Sequence, residues 1–127
     1  MHGKLLYEYA VIRYVPHVER EEFLNVGVIL FCKEQRKVYV RYHIDENKLR
    51  ALAPDADAKE LEEYLTAFSA TANGAPNGGP MALEDAASRF RWLTAVRSSS
   101  IQTSRPHPGF CSNLDQTIER LLTELVK

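Results

Sequence analysis

The sequence predicts an α+β fold, in which an antiparallel sheet of three to four strands carries helices packed on one face. Two observations lead to this prediction. Segments rich in β-branched and aromatic residues occupy the first third of the chain, whereas apolar residues later recur with helical spacing. The chain has 127 residues, of which 45% are hydrophobic and 26% are charged, so a single globular domain over residues 1–127 is expected.

The predicted strands begin close to the start of the sequence. Pro16 ends the first of them because proline cannot continue a central ladder, and one helical turn is expected at residues 19–23. Gly27 lies inside the second strand, where glycine indicates a bulge or the close approach of another group. A polar fourth strand comes late in the chain. The predicted strands cover residues 6–15, 25–32, 38–44 and 96–103.

The helices are predicted from apolar stripes and from capping residues at their starts. Asp45 can cap the first helix, and either Asp55 or Asp57 can cap the second. Ser112 followed by Asp115 has the pattern of a capping box before the terminal helix. The helical patterns cover residues 46–53, 61–68, 82–94 and 114–125.

Two segments predict interruptions of regular structure. Residues 71–81 contain Gly74, Gly78 and Gly79 together with two prolines, so a flexible loop inside the domain is expected there. The segment 106–109 reads Pro-His-Pro-Gly and is expected to break the chain after the fourth strand.

Charge and composition exclude several broad classes of protein. The formal net charge of −1 provides no overall attraction to nucleic acid or to an anionic membrane. Residues 86–110 carry four arginines and no carboxylate, whereas acids concentrate at 45–63 and 115–124, so a polarised molecule is expected. Cys32 and Cys111 are too few for a disulfide framework, and no segment has the ~20 apolar residues of a membrane span. We therefore expect a cytoplasmic protein with reduced thiols.

A first candidate site combines basic and hydroxyl side chains near the fourth strand. The guanidinium group is a planar donor fork that suits phosphate or carboxylate, and serine hydroxyls add short donors. The alternative is an exposed edge strand that charge protects from pairing. The residues expected to bind an anion here are Arg97, Ser99, Arg105 and His107.

A second candidate site lies at the connection between the first two strands. Arg13, His17 and Asn25 are expected to meet there, and the alternative is an ordinary surface loop. A histidine beside carboxylates could act as a general base or a metal ligand. Because neither a Pro-Cys-x-x-Cys nor a His-Glu-x-x-His pattern occurs, we predict no metal site and no cofactor.

A third candidate site is one face of the third strand. Strict alternation places Tyr39, Arg41 and His43 on the face opposite the core. Aromatic and basic side chains on an open sheet can stack on nucleic-acid bases, and the same face could bind a protein partner. The alternative is a polar face that is solvated or covered by connecting loops.

The motifs of several enzyme classes do not occur in the sequence. It contains no Gly-x-Ser-x-Gly elbow of serine hydrolases, and no Gly-Lys-Ser or Gly-Lys-Thr follows the glycine-rich loop as in a phosphate-binding loop. We therefore favour a protein without catalysis of its own.

Four sequence segments resemble a known bacterial family. They read YEYAVIRYVP at 7–16, EFLNVGVIL at 22–30, RFRWL at 89–93 and HPGF at 107–110. These segments are similar to those of the family known as domain of unknown function 3037, and the similarity spans nearly the whole chain. The family has no established activity, so the resemblance assigns no catalytic residue. Its genes often lie beside genes for HipA-like kinases, which implies a protein partner of that kind.

Three functions follow in order of preference. The first is a small cytosolic accessory or regulatory protein that binds a protein partner, for which the resemblance suggests a HipA-like kinase. The second is a binding module or enzyme for a phosphorylated or other anionic ligand, which the arginine and histidine residues named above would hold. The third is a protein that binds single-stranded nucleic acid.

Overall fold

A computed structural model describes residues 4–127 of the chain. Its centre is an antiparallel sheet of five strands, in which the neighbours follow the order β3-β2-β1-β4 and β5 also pairs with β1. The α+β class and the antiparallel sheet are thus confirmed. The strands are β1 (Leu5–Tyr14), β2 (Leu24–Cys32), β3 (Lys37–Tyr42), β4 (Ile101–Thr103) and β5 (His107–Cys111).

In the part of the chain that the structure describes, four α-helices and two 3₁₀ turns connect or follow the strands. Within residues 4–127, no helix is long and apolar enough to cross a membrane. The helices are α1 (Glu46–Leu52), α2 (Ala58–Ala72), α3 (Ala86–Leu93) and α4 (Leu114–Leu125), and the 3₁₀ turns are Val18–Arg20 and Pro80–Leu83.

The fifth strand is the first difference from expectation. The segment 106–109, expected to break the chain, instead supplies the first three residues of β5, which pairs with β1 from Leu5 to Tyr9. The one late strand that was predicted, at residues 96–103, shortens to β4, which pairs with β1 from Ile12 to Tyr14. Two short strands therefore pair with the same edge of the ten-residue β1. Pro108 is tolerated in β5 because an edge strand leaves one side of its backbone unpaired.

The second difference is that helices cover both faces of the sheet. One core cluster joins alternate side chains of β2 to residues of α1, α2 and α3, including Phe31 and Phe90. The other cluster joins the remaining side chains of β2, such as Leu30, to Leu114 and Ile118 of α4. The expected packing on one face is thus replaced by a three-layer arrangement. The uninterrupted apolar run Val26–Cys32 matches a strand buried on both faces.

Capping side chains set the starts of the helices. Asp45 caps α1 as predicted, and of the two candidates for α2 the cap is Asp57. Asp85 accepts a hydrogen bond from the Ser88 N–H and starts α3 there, so the predicted helix 82–94 divides into a 3₁₀ turn and a shorter helix. Asn113, and not Ser112, caps α4 by accepting from the Gln116 N–H.

The predicted loop at residues 71–81 is shorter than expected and is tied to its surroundings. Thr71 and Ala72 still belong to α2, and the Thr71 hydroxyl donates to the Gly78 carbonyl at 2.8 Å. Arg89 of α3 donates from Nε to the Ala72 carbonyl at 3.0 Å. The glycines therefore make a turn between two helices whose ends are held by side chains.

Gly27 lies where two strands approach closely, as its place in the sequence predicted. The pairing of β1 with β2 shifts register between Ile12 and Arg13. A Cβ atom at Gly27 would lie 2.7 Å from the Arg41 carbonyl oxygen and 3.2 Å from Ile12 Cδ1. Only glycine fits between these atoms without moving the β2–β3 ladder.

We expect Gly27→Ala to destabilise the fold by ~1–3 kcal/mol, the usual cost of inserting a methyl group into a packed interior. The obstructing atom belongs to the backbone of β3, so it cannot move aside as a flexible side chain would. Urea unfolding monitored by circular dichroism measures the loss. Gln35→Ala, in the exposed β2–β3 turn, is the control and should stay within ~0.5 kcal/mol of the wild type. Equal urea midpoints for the two variants would contradict the close approach of the Arg41 carbonyl to Gly27.

Candidate functional site

Residues of α2, α3 and the segment leading into β4 line a surface cavity of about 420 Å³. We call this the aromatic surface, because three of the side chains that line it are aromatic and one arginine stacks on one of them. The remaining lining is small or aliphatic. The lining residues are Tyr64, Ala67, Phe68, Thr71, Trp92, Leu93, Arg97, Ser99, Ser100 and Ile101.

Trp92 is the centre of the aromatic surface. It is the single tryptophan of the chain, and it is 46% exposed. Helix α3 directs Phe90 and Leu93 into the core, so helical periodicity turns Trp92 outward. The guanidinium carbon of Arg97 lies 4.6 Å from the centre of the indole ring, and its Nη2 donates to the Trp92 carbonyl. The stacked pair holds both side chains in place at the surface.

Tyr64 of α2 supplies a second aromatic group, and it is 40% exposed. Its hydroxyl donates to Oε1 of Glu60, one helical turn earlier, at 2.6 Å. This hydrogen bond to a carboxylate raises the pKa of Tyr64, so the phenol remains neutral at physiological pH. Val96, next to Arg97 in the chain, is fully exposed and extends the apolar area.

The four residues of the first predicted site lie in different places. Arg97 and Ser99 line the cavity of the aromatic surface, where the Ser99 hydroxyl donates to the Ile101 carbonyl at 2.6 Å. Arg105 is exposed on the connection between β4 and β5. The ring of His107 contacts that of Tyr9, with 5.5 Å between centroids, on the α4 side of the sheet. The structure thus divides these residues between two faces.

Two arginines of the predicted basic segment are engaged within the fold. Arg91 makes two hydrogen bonds to the Glu8 carboxylate, at 2.9 and 2.6 Å. Arg89 donates to the backbone carbonyls of Ala72 and Glu84, at 3.0 and 2.6 Å. Because their donors are used internally, these residues contribute less positive surface than the sequence pattern indicated.

Two of the three residues of the second predicted site come together. Arg13 and Asn25 are direct partners in the β1–β2 ladder, and the Arg13 guanidinium stacks on the ring of Phe23 at 4.1 Å. His17 instead lines a separate cavity of about 340 Å³, and its Nδ1 lies 3.9 Å from the Glu19 carboxylate. Within residues 4–127, no three histidine, cysteine, aspartate or glutamate side chains form a group that could hold a metal ion.

Helix α4 covers most of the third predicted site. Tyr39 packs against the core cluster on the α4 side, and Arg41 Nε donates to Glu119 of α4 at 2.9 Å. His43, beyond the end of β3, is the exposed member of the set. This face of β3 is therefore covered, as one of the alternatives expected, but helix α4 covers it and not a connecting loop.

A second cavity, of about 740 Å³, lies where the β2–β3 turn meets β1 and the start of α3. Leu6, Phe31 and Ala86 supply apolar lining. Two of its carboxylates already have roles in the fold, since Glu8 pairs with Arg91 and Asp85 caps α3. We therefore regard the aromatic surface as the better candidate site.

Sequence reasoning did not single out the aromatic surface. Tyr64 and Phe68 lie in the apolar stripe that predicts the helix at 61–68, and Trp92 lies in the RFRWL segment that resembles the family. One signal was present, because Trp92 falls off the stripe formed by Ala86, Phe90 and Leu93. A large aromatic residue on the outer face of an amphipathic helix predicts an exposed anchor.

The chain was compared with protein families, with curated proteins and with solved structures. The profile described as "Protein of unknown function (DUF3037)" matches residues 9–126. No curated protein and no solved structure matches the chain. The family match runs from the middle of β1 through α4 and includes every residue of the aromatic surface. The chain therefore belongs to the DUF3037 family.

Proposed function

We propose that this protein is a cytoplasmic accessory protein that binds a protein partner through the aromatic surface and has no catalysis of its own. The observation that carries the proposal is the exposed Trp92 with Arg97 stacked on its ring beside a cavity. Tryptophan, tyrosine and arginine dominate the binding energy of protein interfaces, and this surface presents all three. The resemblance to this family, whose genes often lie beside genes for HipA-like kinases, suggests such a kinase as the partner.

The geometry favours a protein over a small molecule at this surface. The cavity is shallow and open, and the exposed Tyr64 and Trp92 line it without closing over it. Sites for small ligands usually bury most of the ligand in a concave pocket. A partner side chain could fill the cavity while the surrounding residues exclude water from the contact.

The charges beside the aromatic surface indicate what the partner presents. On the α2 side, Glu60 lies under the Tyr64 hydroxyl, and the exposed Glu63 lines a neighbouring cavity that shares Ala67. On the α3 side the one charged lining residue is Arg97, whose guanidinium is stacked. The complementary partner therefore has an apolar anchor with basic residues on the side that faces α2.

The proposal predicts that Trp92→Ala weakens partner binding at least tenfold, because a central aromatic anchor typically contributes 2 kcal/mol or more. The tagged protein is first purified gently from its host, and proteins retained in stoichiometric amount are identified by mass spectrometry. The affinity of the identified partner, or of the host's HipA-like kinase, is then measured by isothermal titration calorimetry with each variant.

Phe110→Ala is the matched control, because Phe110 is also a highly exposed aromatic residue but lies on β5, outside the aromatic surface. It should leave the affinity unchanged. Equal loss in both variants, or none in either, would contradict binding at Trp92. Turnover of a phosphoester by the pure protein that disappears in Arg97→Ala would contradict the absence of catalysis.

A further inference from the structure

The outer edge of β4 presents backbone groups that point away from the sheet. Within the described sheet, β4 forms a ladder with β1 alone. The carbonyl of Ser100 accepts from a β1 amide and the N–H of Ser104 donates to a β1 carbonyl, at 2.7 and 2.9 Å. Backbone groups of successive strand residues point in opposite directions, so those of Ile101 and Thr103 are directed away from β1.

Most of these outward groups have no hydrogen-bond partner among the described residues. The unpaired groups are the N–H of Ile101 and both the N–H and the C=O of Thr103. The Ile101 carbonyl accepts from the Ser99 hydroxyl at 2.6 Å. An edge with unpaired donors and acceptors is a template for a further strand.

The other free edges of the described sheet carry features that discourage pairing. β3 begins with the exposed Lys37, and β5 contains Pro108, which has no N–H to donate. β4 reads Ile-Gln-Thr and has neither a charged residue nor a proline. Arg97, which precedes β4 in the chain, is stacked on Trp92. Among these edges, β4 is therefore the one that suits an added strand.

The aromatic surface lies on one face of this edge. Ile101 is the ladder partner of Tyr14, packs against the core cluster on the α2 and α3 side, and lines the cavity of the aromatic surface. Side chains directly opposite each other on neighbouring strands lie on the same face. A residue added opposite Ile101 therefore directs its side chain to the face that carries Tyr64 and Trp92.

We propose that the partner adds an extended segment to β4 and places one of its side chains in the cavity of the aromatic surface. This inference rests on the proposed function and specifies the form of the partner. An added strand bonds the free N–H and C=O groups, whereas a helix uses its own backbone groups internally. β4 has only three residues, so few hydrogen bonds form and the anchoring side chain supplies much of the affinity. Because alternate strand residues face the same side, the segment has apolar residues at every second position.

The probe is a phage-displayed library of linear peptides, selected on the full chain. We expect enriched peptides in which apolar residues alternate with polar ones. An enriched peptide is synthesised, and amide hydrogen exchange of the protein is measured by NMR with and without it. The amides of Ile101 and Thr103 should exchange about tenfold more slowly in the complex, because they become hydrogen-bonded. The amide of Gln35, in the β2–β3 turn, is the internal control and should not change. Unchanged exchange at Ile101 and Thr103, or a selection that enriches no peptide, overturns the proposal.

Thr103→Pro tests the edge directly, because it removes an outward N–H and leaves the bonds of the β1–β4 ladder in place. It should weaken binding of the peptide by about tenfold or more, since a ring then occupies the position of the lost donor. The matched control is Thr103→Val, which keeps the backbone N–H and removes a hydroxyl that has no partner among the described residues. This variant should bind as the wild type does. Circular dichroism checks that both variants are folded, and the exchange measurement on the wild type depends on neither.

The strand addition and the proposed function can fail separately. Peptide binding that Trp92→Ala abolishes but Thr103→Pro leaves unchanged overturns the strand addition and retains the aromatic surface. The reverse result overturns the anchoring at Trp92 and retains the strand addition. Enriched peptides with apolar residues at helical spacing assign a helix to this surface and overturn the proposal. Self-association of the pure protein that Thr103→Pro abolishes assigns the edge to a second copy of the chain and also overturns it.

Discussion

Phe90→Ala is expected to remove ~3–5 kcal/mol from the free energy of unfolding, the usual cost of deleting a buried phenylalanine. Phe90 is completely buried in α3, and its ring stacks on that of Phe31 in β2 with 5.2 Å between centroids. It therefore fixes the helix that carries Trp92 against the sheet. Because small domains are stable by only ~5–15 kcal/mol, much of the native stability would be lost. Chemical unfolding monitored by circular dichroism gives the value.

The control for this prediction is Phe110→Ala, which removes the same side chain from an edge strand where it is 69% exposed. This variant should stay within ~0.5 kcal/mol of the wild type, as most surface substitutions do. If the two phenylalanine variants unfolded at the same denaturant concentration, the result would contradict the conclusion that Phe90 packs α3 on the sheet.

Ile118→Ala is expected to destabilise the fold by ~2–5 kcal/mol, because it deletes a large aliphatic side chain from a closed interior. Ile118 of α4 is completely buried and belongs to the core cluster that includes Val28, Leu30 and Cys32 of β2. The loss measures how much α4 contributes to the core on its own face of the sheet.

Gln116→Ala on the exposed side of the same helix is the comparison, and its midpoint in urea unfolding should lie close to that of the wild type. A loss that is equally small for Ile118→Ala would show that α4 does not contribute to a core. Native-state hydrogen exchange provides a second measurement, because buried amides of α4 should exchange as slowly as those of β2.

Local patterns predicted most of the individual elements. The β1, β2 and β3 strands agree with their predicted bounds to within two residues, because alternation and β-branched content are properties of contiguous residues. Asp45 was correctly identified as a cap, since an N-cap contacts only the backbone of the next few residues. The error at Ser112 arose because its neighbour Asn113 could also serve as the cap, whereas the helix predicted from residue 82 begins only after Asp85, which caps it.

The pairing of β5 could not be predicted from its own residues. A Pro-His-Pro-Gly segment is typical of a turn, and it forms a strand only because β1 offers a free edge opposite it. Gly109 fits there because the Tyr7 ring crosses it, so that a Cβ atom would lie 2.5 Å from the phenol oxygen. Neither condition can be recognised from the segment alone.

The candidate sites show the same difference between what neighbouring residues predict and what contacts between distant residues decide. The sequence indicated that Arg13 and Asn25 are near each other, because a short connection joins the two strands that carry them. It also grouped Arg97 with His107, which are close in the chain but lie on opposite faces of the sheet. Proximity along the chain is informative within a hairpin, but it fails where consecutive segments cross from one face of the sheet to the other.

The sequence by itself determined the α+β class, the first three strands, the Asp45 cap and the membership of the DUF3037 family, since each depends on short patterns or on similarity along the chain. The tertiary structure alone decided which face α4 covers, that Arg41 finds its acceptor on α4 and that Trp92 remains at the surface. Those outcomes depend on contacts between residues distant in the chain, and a linear pattern of residue types does not specify which of them will meet.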